Sequence, residues 1–178
     1  MLKIYLTDLS AYNAGSLVGK WIELPLDEEE LSTEVQEILS KGASVVGGYN
    51  HEEWFITDYE WEDISLFDIE EYQDIYKLNE QLQLLNDLES YQLKSVSYLL
   101  SNSISNDIED AINKLDDVVI HENQTMKDVA YNFIQEYYDI DSLPFILSSH
   151  IDYDALAHDM QIECNYTVQG SDVFEYLN

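Results

Sequence analysis

Carboxylates recur along the whole of this chain, and that constrains it more than any motif does. Of 37 Asp and Glu residues, 12 lie in residues 1–61, 12 in 62–113 and 13 in 114–178, against three, two and two lysines. The net charge is −30, and no arginine is present. Charge spread this evenly is neither a tail nor a single cluster. It belongs to the surface of the entire fold, where it costs self-repulsion and needs a reason. Halophilic adaptation produces the same pattern, so composition alone leaves that reading open.

The chain nevertheless folds around a core. Apolar residues make up 46% of its 178 residues and aromatic ones 12%, including 14 Tyr. Acidic disordered segments lack both. This length suits one or two small domains. Phosphate and nucleic-acid binding require clustered Lys and Arg, which are missing, so direct nucleic-acid binding is excluded, as is binding to an anionic membrane. The single cysteine, Cys164, permits no internal disulfide and reads as structural or surface. Met1–Tyr12 has neither the basic start nor the apolar core of a signal peptide, and no apolar run approaches a membrane span. A soluble, cytoplasmic protein is expected.

The hydrophobic pattern predicts an α+β fold. Ile4–Leu9 and Val18–Leu26 read as strands, joined by a turn over Ser10–Leu17 that contains Asn13 and Gly15. Asp27 and Glu30 suit a capping box opening a helix with the stripe Leu31, Val35, Ile38 and Leu39, and Gly42 is its expected stop. Gly47-Gly48 marks a turn before a third strand, Glu53–Tyr59. Helical spacing over Ile69–Leu88, then Leu93–Leu100, then Ile108–Leu115, predicts a helical layer from about Ile64 to Asn113. Val118–His121 reads as a strand and Thr125–Tyr138 as a helix capped by Thr125 with Asp128. Pro144 starts another segment, and Asp152–Met160 reads as a short helix. Ile162–Gln169 and Val173–Leu177 form a hairpin across Gly170-Ser171. These elements divide the chain at 1–61, a sheet with a helix; 62–113, helical; and 114–178, mixed.

No catalytic motif stands out. Phosphate-binding glycine loops, H-E-x-x-H and the EF-hand calcium loop are all absent from the sequence. His150, Asp152, Asp154 and His158 lie close enough in sequence to suggest metal ligands, but among 37 carboxylates such proximity arises by chance. Carboxylate pairs suitable for glycoside hydrolysis are uninformative for the same reason. Trp21, Trp54 and Trp61 suit a sugar cleft, yet at strand positions they read first as core. No catalytic residue, metal or cofactor is assigned, and the protein reads as a non-enzyme.

The charge itself suggests a role. B-DNA carries one negative charge per about 1.7 Å, so a net charge of −30 matches the phosphates of about 15 base pairs, and a dimer those of about 30. A rigid acidic protein would thus place carboxylates where a DNA-binding enzyme expects phosphates, with steered and salt-dependent association. The expected contact residues are Asp27, Glu28, Glu34, Glu37, Glu52, Glu53, Asp58, Glu60, Asp63, Glu70, Glu71, Asp74 and Asp87, acting collectively. Two other readings stay open. One is an acidic module for a different basic DNA-binding or defence protein; the other is a hydrolase with an unrecognised carboxylate pair.

A resemblance favours the first reading. Ile4-Tyr5-Leu6-Thr7-Asp8-Leu9, Tyr12-Asn13-Ala14-Gly15, Leu17-Val18-Gly19-Lys20-Trp21 and Leu24-Pro25-Leu26-Asp27 follow one another as in the opening of the ArdA antirestriction family, which is carried on mobile elements. Glu52–Glu60 resembles its acidic E-E-x-x-I-x-D-Y-E segment. Ile120-His121-Glu122, Asp128-Val129-Ala130, Tyr153 after Ile151-Asp152, and Val173-Phe174-Glu175 are similar to its last third. The chain departs at Gly42–Asn50, which looks inserted, and at Trp61-Glu62, where the family has Leu-Pro. The resemblance implies an elongated α+β protein of three small lobes and a homodimer joined through the C-terminal lobe. It also implies inhibition of type I restriction–modification enzymes by occupation of the groove of their specificity and methyltransferase subunits.

Overall fold

The computed structural model describes residues 1–48, 50–163 and 165–177, so Cys164 lies outside the described residues. The fold is α+β, with two three-stranded antiparallel sheets and eight helices among the described residues. The chain parts into two compact units, Met1–Leu93 with Asp107–Glu109, and Lys94–Asn106 with 110–178.

In the first unit, β1 (Leu2–Asp8) lies between β2 (Gly19–Leu24) and β3 (Trp54–Trp61). Alternation along β1 sends Leu2, Ile4 and Leu6 into the core and Lys3 and Tyr5 to the opposite face. The expected turn over Ser10–Leu17 instead begins with a short helix, α1 (Leu9–Asn13), because Asp8 Oδ1 accepts the Ala11 N–H at 2.7 Å and caps it. Gly15 then takes a positive φ of +83°, which turns the chain toward β2.

The next helix, α2 (Glu28–Val46), buries the expected stripe of Leu31, Val35, Ile38 and Leu39. Two details differ from expectation. Asp27 occupies the N-cap without a side-chain cap bond, so the capping box does not form. Glu28, Glu29 and Glu30 in the first turn complement the helix dipole instead. Gly42 does not stop the helix, which runs on to Val46 and ends at Gly47, with φ of +80°. Gly42 is buried because Asp8 lies against it: a Cβ there would come within 2.6 Å of the Asp8 carboxyl carbon. His51 Nδ1 donates to the other oxygen of the same carboxylate at 2.6 Å.

Helix α3 (Ile75–Gln83) starts later than the periodicity from Ile69 predicts, with Asp74 accepting from Tyr76 N and Lys77 N as its cap. Residues before it are held otherwise. The Ile56 N–H on β3 donates to the Glu71 carbonyl at 2.7 Å, so this segment satisfies part of the sheet's outer edge rather than coiling. Ile75, Leu78 and Leu82 are buried, and Asn79 uses both ends of its amide on one residue. Its oxygen accepts from Leu26 N at 2.7 Å and its nitrogen donates to Leu26 O at 2.8 Å. This clamp joins the segment after β3 to the first sheet. Both ends of the clamp lie in the first unit.

Helix α4 (Ser90–Ser101) passes from the first unit into the second, and α5 (Ile108–Asn113) follows it. In the second unit β6 (Asp172–Tyr176) lies between β4 (Val118–His121) and β5 (Tyr166–Gln169), with β5 and β6 joined across Gly170 as the sequence predicts. Ile162 and Glu163, expected in that hairpin, belong to α8 (Tyr153–Glu163). Helix α6 (Met126–Tyr137) carries the complete Thr125–Asp128 capping box. A single turn, α7 (Phe145–Ser148), follows Pro144. Met126, Val129 and Ala130 of α6 pack with Ala157 and Met160 of α8 and Val173 of β6. Tyr98 stacks on Phe174 with ring centres 4.8 Å apart.

Candidate partner-binding surface

Folding places the carboxylates outside. Asp8 and Asp172 are buried and Glu34, Asp110 and Glu175 half-buried; the other acidic residues are exposed. The buried pair has structural work. Asp8 serves α1 and His51, and Asp172 accepts from Lys94 Nζ at 2.8 Å and from Asn123 N at 2.8 Å. The lysine, then the Asn123 amide, hold the Asp172 carboxyl below the usual range.

Five of the seven lysines are engaged. Lys3 meets Glu23 and Glu62 at 3.2 and 3.1 Å; Lys20 meets Glu34 and Glu37; Lys94 meets Asp172 and Glu122; Lys114 meets Asp110; Lys127 meets Asp154. Hydrogen bonds donated to these carboxylates raise the ammonium groups of Lys3, Lys20, Lys94 and Lys127 above their ordinary value. Exposed pairs of this kind add little stability. Their effect is on the field, since each cation is held beside an anion.

All thirteen expected contact residues fall in the first unit, and all except Glu34 are exposed. Glu34 is drawn to Lys20 with Glu37. Glu52, Glu53 and Asp74 line one groove with Trp54, Tyr72 and Tyr76. Asp27 lines a second, with Glu30 and Gln83. Asp58 and Glu71 line a third. Glu60 pairs with Lys3 across β1 and β3, on the same sheet face as Asp58, whose cross-strand partner is Tyr5. Asp63 stands at an otherwise mainly aliphatic pocket lined by Leu24, Leu82, Leu85 and Trp61. Glu28, Glu70 and Asp87 are exposed outside these groupings.

Sequence reasoning missed the aromatic component. Trp21, expected in the core, is 44% exposed on the open sheet face and meets Tyr5 edge-on at 5.4 Å; Trp54 and Trp61 are half-buried. The alternation of Lys3 and Tyr5 against Leu2, Ile4 and Leu6 was the signal available for that face.

Among the described residues no group of three or more His, Cys, Asp or Glu side chains is placed to hold a metal ion. His150 instead lies 3.0 Å from its neighbour Ser149 Oγ. Among the same residues, no helix is long and apolar enough to cross a membrane.

A small α+β protein with exposed carboxylates on its helices, strands and connecting segments, and with five of its seven lysines held beside carboxylates, defines an acidic surface suited to a basic partner. The chain belongs to the ArdA antirestriction protein family, whose family model matches residues 4–175. No curated protein matches the sequence.

Proposed function

We propose that this protein inhibits type I restriction–modification enzymes by occupying the groove in which their specificity and methyltransferase subunits hold DNA. One observation carries the reading: a net charge of −30 whose carboxylates are nearly all exposed on a folded chain of the antirestriction family. Those fixed on a helix or strand, Glu28, Glu34, Glu37, Asp58 and Glu60, keep their spacing, which limits the ordering cost of binding. The protein acts in the cytoplasm by occupancy, without a catalytic step.

A homodimer belongs to the same reading. Strong like charge opposes self-association, so an interface between copies needs a surface free of carboxylates. Leu143–Ile151 contains no Asp or Glu, and exposes Phe145 by 84% and Ile146 by 69%. That stretch is the proposed contact between protomers.

Competition tests the function. A labelled duplex containing the recognition site is bound to a type I methyltransferase and titrated with the protein at two salt concentrations. Stoichiometric displacement that weakens as salt rises is expected. Failure to displace DNA at low salt overturns the reading and leaves a different basic protein as the target.

A further inference from the structure

The open face of the first sheet carries more than charge. Tyr5, Tyr12, Leu17, Trp21 and Phe55 line a groove whose polar members are Thr57, Asp58 and Glu71. Register explains how they meet: Trp21 on β2 lies opposite Tyr5 on β1, and Tyr5 lies opposite Asp58 on β3. Tyr12 packs edge-on against Phe55 at 5.1 Å, and Tyr72 stacks over Phe55 at 6.0 Å. The bond from Ile56 N to the Glu71 carbonyl fixes residue 71 along the rim.

Two properties of this groove are unlike those of an ordinary solvated face. Three of its five apolar members stay exposed, Tyr12 by 51%, Leu17 by 66% and Trp21 by 44%, over a half-buried Tyr5 and a buried Phe55. Its two carboxylates lack a counter-charge: among the described residues no lysine pairs with Asp58 or Glu71, although five of the seven lysines are paired elsewhere. Aromatic faces beside uncompensated carboxylates favour a cation that is planar and weakly hydrated. Arginine fits this better than lysine, because its guanidinium stacks on rings and bonds carboxylates through a fork.

We propose that this groove is a receptor for an arginine side chain on a basic segment of the protein partner. The inference deepens the reading above and rests on it for the identity of the partner. Phosphate mimicry alone favours arginine only through carboxylate forks and makes no use of an aromatic surface. The groove adds ring stacking, which depends on Trp21, widens the difference between arginine and lysine and is weakened less by salt, because it is short-range and partly desolvated.

The test uses the full chain and two capped six-residue peptides of equal charge, one a Gly-Arg repeat and one a Gly-Lys repeat. Binding is followed by tryptophan fluorescence and by amide chemical shifts at low salt and at 0.5 M NaCl. The Arg peptide is expected to bind about fivefold more tightly, to shift residues 5, 21, 55, 58 and 71, and to keep that preference at high salt. Trp21→Ala removes the preference, and the isosteric Asp58→Asn/Glu71→Gln pair weakens Arg binding with the fold intact. Equal binding of the two peptides, falling in parallel with salt and indifferent to Trp21→Ala, overturns the proposal. DNA displacement by the wild-type protein reads the decoy function separately, because it depends on total charge and not on the Arg–Lys difference.

Discussion

Gly42, about one turn before the end of α2, lies directly against the buried carboxylate of Asp8, at the end of β1. Glycine inside a helix ordinarily costs about 1 kcal/mol relative to alanine. Here the sign reverses, because a methyl group would displace the carboxylate that caps α1 and holds His51. Gly42→Ala is expected to destabilise the protein by about 1–3 kcal/mol in urea unfolding. Asp8→Ala, which removes both hydrogen bonds, should cost about 2 kcal/mol. A stabilised Gly42→Ala variant would contradict this account of the contact.

Asp172 gives a signature in acid. Its carboxyl is held below the usual range chiefly by Lys94, so its stabilising contribution is present above about pH 4. That contribution disappears as pH falls through the depressed value. Protonating the many surface carboxylates relieves repulsion over the same range, with opposite sign. The difference between wild type and Asp172→Asn isolates the single group. The variant should be less stable at pH 7, and the gap should close toward pH 2.

Self-repulsion makes a prediction about salt. Raising NaCl from about 10 mM to 0.5 M shortens the Debye length from about 30 Å to under 5 Å. The melting temperature should rise over that range, while affinity for a basic partner falls. Opposite slopes in the two measurements separate a charge-strained fold from a charge-driven complex.

Single neutralisations among the twelve exposed residues proposed as contacts, such as Glu52→Gln or Asp87→Asn, are expected to change DNA displacement by less than about threefold, since each contributes one exposed charge. Neutralising Glu52, Glu53, Asp58, Glu60 and Glu71 together should reduce it by about a hundredfold at low salt. One substitution with the full effect would point to a local site instead of a collective one.

The carboxylate-free stretch tests the dimer. Ile146→Asp places a charge on a side chain that is 69% exposed, so it should leave the monomer folded. If copies meet there, sedimentation of the variant shows a monomer at concentrations where the wild type is a dimer.

What could be read from the sequence follows from where each signal is stored. Ile4 and Leu6 alternate within one strand, and Thr125 and Asp128 cap within one turn, so local pattern revealed both, though not that the strand begins at Leu2. Gly42 misled because its contact comes from β1, far back in the chain. Ile69 and Tyr72 misled because helical spacing cannot register that the Glu71 carbonyl is taken by Ile56. The Asn79 clamp on Leu26 carries no periodic signal at all. At the surface, the carboxylates were legible residue by residue. Their grouping with Trp21 and Tyr5 needed the cross-strand register.

The lysine pairs described above alter what a partner senses at a distance. A cation tied to a carboxylate about 3 Å away is a dipole, whose potential falls off faster than that of a lone charge. Beyond roughly a Debye length of 10 Å the paired lysines present no separate positive spots. An approaching basic protein is therefore drawn by a nearly pure negative monopole. It encounters the individual residues, attractive or not, only after capture, so the approach is governed by charge number and the final fit by side-chain identity.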